Sequence, residues 1–212
     1  MSTEANEMQK EATRQRILET AFRVFAERTI EKVKMTDVAE AGGVGVATVY
    51  RYFPTKPILV LSASTWAWER YLAESDSRMD DLSGTAAEKY EYFLDAFLDL
   101  YRNHRPLLRF NQFFNVYIEN ESGVPAEAMQ PYLGVIDALS GHFEEIYRLA
   151  QRDGTLRTDI SAREILLPSL HLMLAAATRY AVGLVYEEPA GSEQELVLLK
   201  EMLLREFRAV PA

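Results

Sequence analysis

Between Thr36 and Lys56 the chain reads TDVAEAGGVGVATVYRYFPTK, and this window admits few structures. Two short stretches carry apolar side chains at helical spacing. Gly42-Gly43 breaks the first, at Ala41, and Pro54-Thr55-Lys56-Pro57 closes the second, which runs from Val46 to Phe53. Val38, Ala39, Val44 and Val49 are the small apolar contacts that hold the two helices together. Gly43 supplies the tight turn, where a positive φ is required. The pattern is that of a helix-turn-helix.

In such a motif the second helix enters the major groove of duplex DNA. Thr48, Tyr50, Arg51, Tyr52 and Lys56 bring hydroxyls, a guanidinium and an ammonium to that neighbourhood, the groups that position a protein on a phosphate backbone. Arg51 and Val46 are placed to read bases, arginine through guanine and valine through a thymine methyl. Solvent exposure is the competing assignment for Arg51. For Tyr50 and Tyr52 the competing assignment is packing, but their spacing puts them on different sides of a helix, so at most one is core.

A net charge of −9 argues against a polyanionic partner only until it is divided along the chain. Residues 1–56 hold nine basic and eight acidic side chains, a balance of +1, and the remaining 14 and 24 leave −10 in residues 57–212. A local basic face decides phosphate binding, not the global balance. Outside the motif the pattern is helical almost throughout, with roughly nine helices expected and no strand. A long helix runs from about Pro57 into the 70s, ending before Ser83-Gly84. Two more fit Arg105–Glu121 and Pro125–Arg152, the latter stopped by Asp153-Gly154. Thr85 with Glu88, Ser161 with Glu164 and Ser192 with Glu195 read as capping boxes.

Several classes are excluded. Without cysteine there is no disulfide, thiolate nucleophile or Cys-ligated metal. Gly43-Val44-Gly45 fails as a dinucleotide fingerprint, because Thr48 stands where the third glycine belongs and no strand precedes it. Di-iron helical proteins need Glu-x-x-His, but Tyr101, Leu139 and Pro168 lie three residues before His104, His142 and His171. No metal, cofactor or catalytic constellation is expected, so the chain is not read as an enzyme. The N-terminus carries no apolar secretion signal, which fits a cytoplasmic protein. Ile165–Tyr186 is long enough to span a bilayer but carries His171, Arg179, Pro168 and Ser169, so a helix buried in a soluble protein is expected.

Over about residues 13–60 the sequence resembles the tetracycline-repressor (TetR) family of bacterial transcription regulators. The resemblance rests on Ile17-Leu18, Ala21-Phe22, Phe25-Ala26-Glu27-Arg28, Asp37-Val38-Ala39, Gly43-Val44 and the run from Thr48 to Lys56. It implies an all-α homodimer: a three-helix DNA-binding domain at 1–56, then a larger helical domain at 57–212 for ligand binding and dimerisation. It also implies DNA contacts at Lys34, Thr36, Gly45, Val46, Ala47, Thr48, Tyr50, Arg51, Tyr52 and Lys56. The chain departs from the family pattern at four places. Lys34 stands where a Ser or Thr usually caps the second helix, so Thr36 is expected to take over with a later start. Gly45 replaces a common Ser and offers only its N–H. Ala47 replaces a frequent Gly, and Thr29 replaces the Gly that often closes the first helix.

The larger domain is rich in aromatics, most of them ordinary core. Polar groups set among them suggest a pocket for a small, mostly apolar ligand, lined by Trp66, Tyr101, Asn111, Phe114, Tyr117, Tyr147 and His171. Satisfied buried polar residues are the alternative reading of Asn111 and His171. The apolar Glu164–Tyr186 segment and the Leu196, Leu199, Met202, Leu203, Phe207 stripe are expected to pair with their symmetry mates, giving a dimer and a near-palindromic operator. The expected function is a DNA-binding regulator, in this family most often a repressor released by a small molecule. The contrasting reading is a helical protein-interaction module with a vestigial helix-turn-helix.

Overall fold

The computed structural model describes residues 2–80, 83–121, 124–183 and 191–209. Among them are nine helices: α1 (Ser2–Arg28), α2 (Met35–Ala41), α3 (Val46–Tyr52), α4 (Lys56–Asp80), α5 (Ala86–Asn103), α6 (Arg105–Asn120), α7 (Ala126–Asp153), α8 (Ala162–Val182) and α9 (Ser192–Phe207). Only an isolated bridge, Leu156 with Arg208, has β character among these residues. The all-α expectation is met.

Two compact units form, Met1–Arg70 with Arg109–Val135 and Tyr71–Leu108 with Ile136–Ala212. This division of packing differs from the division at Lys56/Pro57. Leu59, Val60 and Ala63 of α4, with Phe110 and Phe114 of α6, are buried in the same cluster as Phe25, Val38 and Val49. The first unit therefore has α1 at its centre, with Ile17, Leu18, Ala21 and Phe25 nearly free of solvent. Phe22 meets Phe110 at 5.4 Å between ring centroids, and Phe114 meets Tyr132 at 4.9 Å.

In the second unit α5, α8 and α9 pack on one another. Tyr90 on α5 and Ser169 on α8 are fully buried and joined at 2.7 Å. Ser169 donates to the Ile165 carbonyl at 2.6 Å, so the Tyr90 hydroxyl donates to Ser169 Oγ. Burial raises the Tyr90 hydroxyl far above its ordinary pKa, against the opposing pull of Ser169. Lys200 on α9 binds Glu91 at 3.0 Å and Asp95 at 2.7 Å on α5.

Two of the three expected capping boxes form, with Glu88 accepting the Thr85 N–H at 2.7 Å and Glu164 the Ser161 N–H at 2.8 Å. The third does not. Gly191, at φ 156°, takes the capping position, and the Glu195 N–H bonds to the Gly191 carbonyl at 2.9 Å. Ser192 is left buried inside the first turn, and Glu195 accepts the Tyr180 hydroxyl instead.

Helix α8 has the length and hydropathy of a membrane span, yet its inner face is core. Ile165, Leu166, Ser169, Met173 and Ala177 are buried, and Leu172 and Ala175 are exposed. Residues 184–186 of the expected apolar segment lie outside the described residues. The dimer stripe needs correction. Leu196, Leu203 and Phe207 turn into the protomer's own core, and Leu199 is half-buried. The outward apolar side chains of α9 are Val197, Leu198 and Met202, the last two half or more exposed.

Candidate nucleic-acid interface

Each part of the α2–turn–α3 segment has a local cause. Lys34 stands at the N-cap of α2 in extended conformation, and its N–H donates to the Asp37 carboxylate at 2.8 Å. The N-cap N–H is thus held from inside the helix, the Asp37 N–H bonds to the Lys34 carbonyl at 3.1 Å in place of a capping side chain, and the helix opens at Met35 with no late start at Thr36. At the other end the Gly42 N–H reaches Val38 and the Val44 N–H reaches Ala39. Gly43 sits at φ 60°, a left-handed conformation that costs glycine nothing. Gly45 caps α3 in extended conformation without a side-chain bond.

Helix α3 has seven residues and one anchor: Val49 is fully buried, and Phe53 follows it into the core. The opposite face carries Val46, Ala47, Tyr50 and Arg51, all exposed. Tyr50 is 48% exposed, which decides between its two readings: it faces solvent. Thr48 is half-buried, and so is Tyr52, which packs against the core cluster with the Arg51 guanidinium 5.4 Å over its ring. Lys34, Thr36 and Gly45 are exposed. The ten residues expected at DNA are thus gathered on one unit, and none is buried.

Lys56 differs from the others. Its ammonium donates to the Glu31 carbonyl at 3.3 Å and lies 5.3 Å from the centre of the Tyr117 ring. Desolvation there outweighs the attraction of Glu31, Glu121 and Asp37, so its pKa falls below the ordinary lysine value. Burial, reinforced by Glu121 and Glu31, raises the Tyr117 hydroxyl in turn.

The seven residues expected at a ligand are divided between the two units. Trp66, Asn111, Phe114 and Tyr117 belong to the first unit, and Tyr101, Tyr147 and His171 to the second. Trp66 Nε1 donates to Gln15 Oε1 at 2.6 Å. Phe114 and Tyr117 are core. Tyr101 is buried, with the Arg105 guanidinium 4.3 Å over its ring, and the Tyr147 hydroxyl donates to the carbonyls of Thr158 and Ile160. His171 is exposed on the outward side of α8 beside Leu172. Asn111 stands apart as a buried polar side chain, only 4% exposed; the buried side-chain atoms without a hydrogen-bond partner among the described residues include Ser64 Oγ and Thr178 Oγ1. The second unit also holds a cavity of about 180 Å³ lined by Tyr71, Glu74, Ser75, Tyr92, Asp95, Ala96, Asp99 and Arg102. Sequence reasoning missed it because charged residues on an amphipathic helix read as solvated surface.

Residues 17–63 match the family described as bacterial regulatory proteins, tetR family. The transcriptional repressor KstR of Mycolicibacterium smegmatis is 41% identical over 71 residues, 34% of this chain and 34% of its own length. The match thus spans about a third of that relative. Among solved structures, a transcriptional regulator from Saccharomonospora viridis in complex with choline superposes with a TM-score of 0.74 at 22% identity, covering 94% of this chain and 99% of its own. The regulator FadR of Bacillus subtilis in complex with stearoyl-CoA gives 0.72 at 16% identity, covering 90% and 97%. At such identities the likeness is one of fold. The matched stretch contains the whole of α2, turn and α3 with the buried face of α1, so it is the helix-turn-helix of this chain that is similar to the tetR family of bacterial regulatory proteins.

Proposed function

We propose that the chain is a sequence-specific DNA-binding transcriptional regulator, a cytoplasmic repressor released from its operator by a small-molecule inducer, and not an enzyme. The supporting observation is the division of α3: Val49 ties one face into the core, and Val46, Ala47, Tyr50 and Arg51 stand free on the other. Tyr50, Lys34, Thr36 and Thr48 hold phosphates, with Tyr52 beside them. Val46 and Arg51 read bases, and the N–H of Gly45 and the methyl of Ala47 allow close approach. Lys56 joins them by giving up the Glu31 carbonyl for a phosphate. Selection from a random duplex pool should return a near-palindromic sequence with half-sites a helical turn or a multiple apart. Lys56→Ala should lower the salt slope by about one unit. A pool without enrichment, with binding insensitive to salt, refutes the reading.

The palindrome follows from a homodimer. Leu172 and Ala175 of α8 with Val197, Leu198 and Met202 of α9 form the outward apolar surface, and two copies would join as four helices. His171 belongs to that surface and not to a pocket. A monomer at micromolar concentration in sedimentation contradicts this assembly. For the inducer, the buried Asn111 amide is the strongest hook, with Trp66, Phe114 and Tyr117 in its unit; Tyr101 and Tyr147 are secondary candidates. Helix α4 leaves the helix-turn-helix directly at Lys56, so a ligand that shifts α4 displaces α3. Coupling of ~1–3 kcal/mol is the usual scale. By reciprocity, operator must weaken the ligand by the same factor, and equal ligand affinity with and without operator would remove the inducer from the scheme.

A further inference from the structure

Helix α1 begins well before it is needed. Its packed face starts at Ile17, yet the helix extends back to Ser2, and Glu4 through Ala12 are exposed throughout. Those nine residues amount to about 14 Å of helix beyond the packed part. A polar segment with so little buried surface is marginal on its own. Between it and the C-terminal end of α3 lies a groove of about 530 Å³ lined by Asn6, Gln9, Lys10, Thr13, Arg51 and Tyr52.

The side chains are sorted by charge around this segment. Asn6, Gln9, Lys10 and Thr13 recur at three- and four-residue spacing and make one stripe facing the groove. Glu4 and Glu11 lie about 100–120° round the helix from Lys10, whereas Glu7, three residues before Lys10, is its neighbour on the helix surface. Glu11 is further drawn off by Gln15, at 2.6 Å, and Arg14, at 3.7 Å. Among the described residues no carboxylate pairs with Lys10 or Arg51. The groove thus presents Lys10 and Arg51, neither paired with a carboxylate among the described residues, and the amides of Asn6 and Gln9, contiguous with the exposed face of α3, and no carboxylate lines it.

We propose that this groove seats the sugar–phosphate backbone of duplex DNA flanking the bases that α3 faces, with Lys10 as its principal phosphate contact. The inference rests on the DNA-binding reading and extends its footprint to the first turns of α1. The test uses the full chain and a random-sequence 30-base-pair duplex, titrated by fluorescence anisotropy from low to high salt. Lys10→Ala should lower the magnitude of the salt slope by about 0.9, an affinity loss of about eightfold at 0.1 M salt that closes toward 1 M. Lys10→Arg should restore both values. Glu4→Ala, a charge change of the same size about 120° round the helix from Lys10, should leave the slope unaltered.

Failure of the wild-type chain to bind duplex overturns this proposal together with the DNA-binding reading. Wild-type binding that Lys10→Ala leaves intact overturns the groove alone. Tightening by Glu4→Ala to match the Lys10→Ala loss reduces the effect to long-range charge and overturns it too. So does thermal stabilisation by inorganic phosphate that vanishes in Lys10→Ala while duplex affinity stays the same, because the groove then holds a free anion.

Discussion

Two residues of the first unit occupy the left-handed backbone region, and only one of them is suited to it. Gly43 has φ 60° and Thr29 has φ 69°. For a side chain with a Cβ this conformation costs about 1–2 kcal/mol, with a β-branched residue at the upper end. Thr29→Gly removes that strain. Against it stands the larger unfolded-state entropy of glycine, about 0.4–1 kcal/mol, so the net expectation is a gain of about 0.5–1 kcal/mol. Gly43→Ala runs the exchange backwards. A Cβ built there meets nothing within 4 Å, so no clash adds to the conformational cost, and a loss of about 1 kcal/mol is expected. Both tryptophans, Trp66 and Trp68, lie in this unit. Urea unfolding followed by tryptophan fluorescence therefore reads these changes where they act. Scaled to a chain of this size, each kcal/mol is about 2–4 °C in Tm. A Thr29→Gly protein no more stable than wild type, or a Gly43→Ala protein as stable as wild type, would show that backbone strain is not what separates these positions.

In the second unit, Ser169→Ala should cost more than Tyr90→Phe. The first strands a buried Tyr90 hydroxyl, at about 1–3 kcal/mol, and the second leaves Ser169 bonded to the Ile165 carbonyl, at about 0.5–1.5 kcal/mol; the reverse order in denaturant midpoints contradicts the donor assignment. Asp153 accepts the N–H groups of Ala86, at 2.7 Å, and Thr155, at 2.9 Å. Partial burial opposes its ionisation, but these bonds, the Thr155 hydroxyl and the Arg152 charge outweigh it and hold its pKa below the ordinary aspartate value. A depressed carboxyl stabilises the fold above the unfolded pKa of about 3.9 and ceases to as pH falls through the lower folded value. Asp153→Asn should therefore cost about 1 kcal/mol at pH 7, with the gap closing below about pH 4. Circular dichroism melts across that range check it, and a gap that does not narrow as the pH falls below about 4 refutes it.

The helix-turn-helix was legible because its constraints are local. The glycine turn, the Val38–Val49 contacts and the unusual Thr29 can each be read within a few residues of themselves. The fate of Lys34 was one step less local: losing the usual cap suggested a late start, but the Asp37 carboxylate fixes the Lys34 N–H from inside the helix. The outer helices were legible in extent and not in phase. In α9 apolar residues stand at 196–199, 202–204 and 207, so both faces are apolar and periodicity cannot say which turns inward. The structure turns Leu196, Leu203 and Phe207 in and leaves Leu198 and Met202 out. The ligand residues were harder still, since an aromatic reads alike whether it walls a cavity or fills a core. Phe114 is core, His171 is surface, and Asn111 is a buried polar side chain.

This contrast follows from how α3 is held. Seven residues are too few for a helix to persist in water by itself. Its position is set by Val49, Phe53 and the preceding glycine turn, all on the side away from solvent. The outward residues Val46, Ala47, Tyr50 and Arg51 thus carry little of the folding free energy, and surface substitutions of this kind usually stay within about 0.5 kcal/mol. The fold leaves them free to vary with the DNA sequence they meet, while Val49 and Gly43 are bound to the structure. The same separation places Lys10 and Gln9, on a helical extension with little core contact, among residues whose identity the fold does not dictate and a bound backbone can.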